Sequence, residues 1–157
     1  MLASEEIVPI SIYSGRDLFV LGLLSRMAIH PIEEATVRAF IIPAKRDRYA
    51  SLLGNAKKRA AFLDGLNHCR DFDARYVTAL PSTTDVPALL RSRGAAATCR
   101  VISDDREIDG REMLIEDAVR DAEASGLGSL LCCVPGRLAY YIGESGGQRF
   151  LLRRNAD

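Results

Sequence analysis

The stretch SLLCCVPGRLAYYIGE, residues 129–144, decides how the end of this chain folds, because it sets two apolar runs around a Pro-Gly pair. Proline presets the second position of a type II turn, and glycine accepts the positive φ that the third requires. The flanking runs, 129–134 and 138–142, carry strand-favouring residues, so the turn predicts an antiparallel hairpin. Ser145-Gly146-Gly147 then predicts a second reversal into 149–152, which makes the C-terminal region an antiparallel β-meander. Neighbouring strand residues point to opposite faces, so Cys132 and Cys133 cannot share one ligand or one partner thiol and read as packing.

Working upstream, strand and helix signals alternate. Residues 7–13 read as a short strand and 16–29 as an apolar helix ended by His30-Pro31. Residues 36–42, rich in β-branched and aromatic side chains, read as a strand, and 45–67 as the longest helix, with apolar positions at three-and-four spacing. Then come a strand at 75–80, a helix at 85–93, a strand at 98–103 and a helix at 113–125 stopped by Gly126. Strands separated by helices imply βαβ crossovers. The expected fold is therefore α/β: a single domain over 1–157 with a mixed sheet, mainly parallel βα units, a C-terminal antiparallel β-meander and helices on both faces.

With 157 residues, 48% apolar, and zero net charge, the chain is expected to form one core, and no global field argues for a polyanionic partner. The most apolar run, 18–24, is too short to span a bilayer, and Glu5 and Glu6 stand where a signal peptide needs basic residues. The expectation is a cytoplasmic protein with no membrane partner. Cys69, Cys99, Cys132 and Cys133 form no CxxC pair, and His30 and His68 are isolated, which argues against both a disulfide framework and a zinc site.

Three stretches carry candidate chemistry. Between Arg38 and Arg59 lie seven basic residues (Arg38, Lys45, Arg46, Arg48, Lys57, Lys58, Arg59) against one acid, Asp47. On a helical wheel Arg46 and Lys57 flank the apolar stripe on one side, Arg48 and Arg59 on the other, and Lys58 points to solvent. What remains is the start of the helix, where free N–H groups and Lys45, Arg46 and Arg48 could converge on an anion. The leading expectation is a non-catalytic binding or regulatory module that takes phosphate, nucleotide or nucleic acid there. The second stretch, NHCRDFDARY at 67–76, offers His68, Asp71 and Asp73 to a hydrolase-like or metal-dependent enzyme. No cofactor is implied by any motif.

The third, DREIDGREMLIE at 105–116, nearly satisfies the calcium-loop template, with acids at its first, third and fifth positions, glycine at the sixth and glutamate at the twelfth. Its third ligand, Glu107, is longer than the aspartate or asparagine required there. The preceding segment reads as a strand where that motif needs a helix, so a turn at Asp109-Gly110 is expected instead. Residues 104–123 carry nine acids against three arginines, opposite in sign to 38–59. A chain with separated basic and acidic faces could self-associate as a homo-oligomer or meet a charged protein partner, the third expectation.

Overall fold

The computed structural model describes residues 28–155. Expectations for a strand at 7–13 and, but for its last two positions, a helix at 16–29 fall outside them. The described chain runs α1 (Pro31–Phe40), α2 (Arg46–Leu53), α3 (Ala56–Leu66), β1 (Val77–Ala79), α4 (Val86–Ser92), β2 (Thr98–Ser103), β3 (Glu112–Leu114), α5 (Ile115–Ser125), β4 (Ser129–Val134), β5 (Leu138–Ile142) and β6 (Arg149–Arg153).

The Pro-Gly hairpin forms, with Gly136 at φ 71° and the Arg137 N–H donating to the Val134 carbonyl at 3.0 Å. It seeds one sheet in the order β1-β6-β5-β4-β2-β3. Every neighbouring pair in that sheet is antiparallel, which corrects the expectation of mainly parallel βα units. The helices do join strands that run in the same direction, but those strands are not neighbours. The β3–α5–β4 connection straddles β2, and β1–α4–β2 straddles β4, β5 and β6. A local helix-strand alternation fixes the direction in which a strand returns, not which strand becomes its neighbour.

Alternation along the strands builds two cores. Ile102, Leu130, Cys132, Ala139, Tyr141 and Leu152 face α1, α2 and α3. Val101, Leu131, Cys133, Tyr140, Ile142 and Leu151 face α4 and α5. Cys132 and Cys133 thus sit under opposite layers, and the β4–β5 register slips between Cys132 and Val134. All four cysteines are free and buried.

Other elements depart from the reading of the sequence. Residues 36–42 are not a strand: α1 occupies Pro31–Phe40, capped by His30 Nδ1, which accepts from the Ile32 N–H at 3.2 Å. Pro31 at the first helical position and Glu33 and Glu34 in the first turn satisfy the rules for a helix start. Glu33, Val37 and Phe40 share its buried side, and only Ile41 bridges to Phe72. The expected long helix over 45–67 is two helices, because Gly54 closes α2 and the Asn55 side chain caps α3 by accepting from the Lys57 and Lys58 N–H groups. The expected helix from residue 113 begins at Ile115, since Glu112–Leu114 pairs as β3. Among the described residues, no helix is long and apolar enough to cross a membrane.

Candidate functional site

A cleft of about 260 Å³ opens between α2 and α3, lined by Lys45, Arg48, Tyr49, Leu52, Phe62, Leu66, Cys69 and Asp71. The short helical turn Pro43–Lys45 brings Lys45 to the mouth, and α2 then presents Arg48 and Tyr49 on one side. Tyr49 meets Phe62 of α3 edge to face at 5.1 Å, so the floor is apolar and the rim polar. Beneath, the Tyr141 hydroxyl donates to the Leu66 carbonyl at 2.7 Å and accepts from the Cys69 N–H at 3.2 Å, tying the end of α3 to the sheet.

Of the three predicted anion ligands, the cleft holds two. Lys45 Nζ lies 2.8 Å from Asp71 Oδ1, and the Tyr49 hydroxyl donates to the other oxygen of the same carboxylate. Arg46 points away: its Nε donates to the Ile41 carbonyl at 2.8 Å. Arg48 is exposed at the cleft wall and is within 4 Å of no carboxylate of the described residues. The expected strand end leading into this helix is absent, and α2 starts without a side-chain cap.

Three titratable groups of the cleft, Cys69, Tyr49 and Asp71, are displaced from their ordinary values. Burial pushes the Cys69 thiol up to about 11. Burial and the bond to Asp71 raise the Tyr49 phenol above its ordinary range. Burial works to raise the Asp71 carboxyl, but hydrogen bonds from Lys45 and Tyr49 outweigh it and hold it below the usual carboxylate range. These directions move all three groups away from proton exchange near pH 7.

The enzymatic trio is not brought together. His68 lies 2.9 Å from Glu144 Oε2 in a loop cluster at one end of the sheet, Asp71 belongs to the α2–α3 cleft, and Asp73 accepts from Arg75 at 2.7 Å. The Asp73 carboxyl is lowered to about 2 chiefly by that Arg75 bond. In the same loop cluster Asn67 Oδ1 accepts from the Gly128 N–H at 2.6 Å and its Nδ2 donates to Asp104 at 2.8 Å.

Of the acidic stretch, Asp109 is drawn inward, while Glu107, Glu112 and Glu116 are exposed. Asp109 takes two bonds from Arg59, both at 2.8 Å, and one from the Ser103 N–H at 3.0 Å. Arg59 also forks onto Glu33 at 2.7 and 3.0 Å, and Arg100 Nε reaches the same carboxylate at 3.1 Å. Glu33 is fully buried, so the quartet fastens α1, α3, β2 and the β2–β3 loop at the side of the sheet. Among the described residues no group of three or more metal-ligating side chains assembles. Cysteine chemistry finds no opening in the strand pair either, because burial raises the Cys132 thiol to about 12, and the Cys99 hydrogen bond, with burial, raises that of Cys133.

Sequence reasoning missed Glu33, which lay in the unassigned stretch between the expected helix and the expected strand at 36–42, and its partner Arg100. It also missed Arg137 and Arg154, which adjoin where β5 and β6 meet, because the register of a hairpin partner is not read from either residue alone. The signal available was the Arg153-Arg154 pair at the end of the third meander strand. Compared with protein-family models, curated proteins and solved structures, the chain finds no match in any of the three.

Proposed function

We propose that this chain is a non-catalytic binding module of the cytoplasm that recognises a small anionic ligand, such as phosphate or a nucleotide, in the cleft between α2 and α3. The observation that carries the reading is the Arg48 guanidinium, exposed beside Lys45 on a cleft with an apolar floor of Leu52, Phe62 and Leu66. The Lys45–Asp71 pair is locally neutral, so Arg48 gives the mouth a net positive charge. Arg46 acts through the backbone, holding the Ile41 carbonyl and so the approach to α2. The volume, about 260 Å³, suits a phosphate group with a small apolar or planar body. The raised Tyr49 and Cys69 and the lowered Asp71 support binding without catalysis. Four free, buried thiols support a reducing compartment.

The alternatives draw less support. Enzyme chemistry with His68, Asp71 and Asp73 needs a shared site, and these side chains serve three separate contacts. A docking module with opposed charged faces loses much of its contrast because Arg59 of the basic stretch is bound to Asp109 of the acidic one.

Titration of phosphate, nucleoside monophosphates and short oligonucleotides by calorimetry, first at low salt and then near physiological salt, tests the proposal. Arg48→Ala is expected to weaken binding about tenfold, the loss of one charge-assisted contact. Lys58→Ala, on an exposed position of α3, is expected to leave it unchanged. Equal affinity in both variants, or no binding at low salt, refutes the reading.

A further inference from the structure

At the opposite end of the β5–β6 hairpin from the 143–148 loop, four arginines share a cleft of about 260 Å³: Arg93, Arg137, Arg153 and Arg154, with Asn155 beside them. We propose that this cleft is a second anion site, distinct from the α2–α3 cleft, that takes the di- or triphosphate group of a small ligand.

The backbone forces these charges together. Arg153 pairs with Leu138 in the β5–β6 register, and the Arg154 N–H donates to the Arg137 carbonyl at 2.9 Å, so Arg137 and Arg154 adjoin across the hairpin. Like charges placed opposite one another in a sheet repel. The C-terminal end of α4 adds Arg93 from the neighbouring layer.

The nearest arginines on the same two elements are paired, whereas Arg48, Arg70, Arg106 and Arg111 elsewhere in the described chain are not. Arg91, two residues before Arg93, contacts Glu116, and Arg149, on the same strand as Arg153, contacts Glu123. None of the four in the cleft lies within 4 Å of a carboxylate of the described residues, and no acid among them lines it. The dipole of α4 accounts for a cation at Arg93. It does not account for the other three. In a chain of zero net charge, four arginines around one cleft with no acid among the described residues to neutralise them make a place that an external anion can fill.

Geometry selects the ligand. Guanidinium forks match phosphate oxygens with paired N–H bonds, and several forks around one cleft suit a group with several negative charges better than a single carboxylate. Arg154 borders the cleft with its guanidinium held to one side, Nη1 donating to the Ala39 carbonyl at 3.4 Å and the group lying 4.5 Å over the Tyr76 ring, so Arg93, Arg137 and Arg153 are the forks left to a ligand. The cleft volume, about 260 Å³, fits a pyrophosphate-sized group.

The test uses the full chain with inorganic pyrophosphate, single-stranded oligonucleotides of increasing length, and the melting temperature as a second readout. Pyrophosphate is expected to bind and to raise the melting temperature by mass action. Arg153→Ala and Arg137→Ala, both at exposed positions, are each expected to weaken pyrophosphate about tenfold or more. In the absence of ligand at low salt, both should melt no lower than the parent protein, because each removes repulsion. Arg48→Ala should bind pyrophosphate in this cleft as the parent does, which separates failure here from failure of the α2–α3 site. Unchanged pyrophosphate affinity in the Arg137 and Arg153 variants overturns the proposal. So does a ligand-free melting temperature that falls in both. Oligonucleotide binding that exceeds pyrophosphate and grows with length overturns it in favour of a polynucleotide surface.

Discussion

Tyr140 and Tyr141 are adjacent, fully buried and on opposite faces of β5, yet their hydroxyls have opposite fates. The Tyr141 hydroxyl makes two bonds, to the Leu66 carbonyl at 2.7 Å and from the Cys69 N–H at 3.2 Å. The Tyr140 hydroxyl is buried with no hydrogen-bond partner among the described residues. Removing each hydroxyl with phenylalanine therefore gives changes of opposite sign. Tyr141→Phe leaves a buried backbone N–H unsatisfied and strips a carbonyl of its donor, which costs about 2–4 kcal/mol. Tyr140→Phe removes only an unsatisfied polar atom from an apolar layer and is expected to stabilise by about 0.5–2 kcal/mol. Urea unfolding of both variants and the parent, with equal slopes, reads the difference directly. Because Tyr141 anchors the segment that lines the α2–α3 cleft, Tyr141→Phe should also weaken any ligand bound there, while Tyr140→Phe should not. Changes of the same sign and size for the two variants refute the reasoning.

Glu33→Gln, which keeps the shape but removes the charge facing Arg59 and Arg100, is expected to cost about 3 kcal/mol, near the low end for a broken buried pair because both arginines are partly exposed. Chemical denaturation at low and high salt checks it, and a penalty that vanishes in salt contradicts burial of the network. Gly128→Ala places a Cβ 2.4 Å from the Leu66 carbonyl oxygen, so the backbone must part and the Asn67–Gly128 bond with it; a loss of about 2–4 kcal/mol is expected in thermal unfolding, and a neutral result excludes the close approach. Asp71 and Asp73 both titrate below the ordinary carboxylate range when folded, so the stability they give is complete above the unfolded value near ~3.9 and drains away as pH falls through the folded values. Asp73→Asn should flatten the stability profile between about pH 4 and pH 2, and an unchanged acid limb in the unfolding curves contradicts the Arg75 contact.

What could be read from the sequence was whatever the chain decides locally. The Pro135-Gly136 turn fixes its own hairpin, and β2, β4 and β5 fall at the residues that their apolar runs mark. The direction of the sheet was not local, because β2 lies beside β4 only after the chain has passed through β3 and α5. Residues 36–42 misled through their β-branched letters. The signals that overrule those letters, the cap at His30 and the proline at the first helical position, had been credited to the end of the preceding helix. Gly54-Asn55 likewise carried a stop and a cap inside a pattern regular enough to read as one helix. At the candidate site, the cations at 45–48 were visible as charge, but the carboxylate that neutralises Lys45 comes from Asp71, across the α3 turn, and no spacing rule joins them. Arg48 lies within 4 Å of no carboxylate among the described residues, and its influence on Asp71 is a longer-range one.

The α2–α3 cleft is also rigid in a way that bears on how it would take a ligand. Three independent ties surround it: Lys45 and Tyr49 bind Asp71 across the mouth, Tyr141 binds the Leu66–Cys69 segment from below, and Asn67 binds Gly128 and Asp104 from the side. Each tie joins segments distant in sequence, so the lining residues cannot rearrange singly without breaking a bond that costs roughly 0.5–3 kcal/mol. A site held this way meets its ligand largely preformed and loses little conformational freedom on binding. Among the described residues of the rim, Arg48 takes part in none of these ties, so a proposed anion would meet it as an exposed side chain on an otherwise fixed wall.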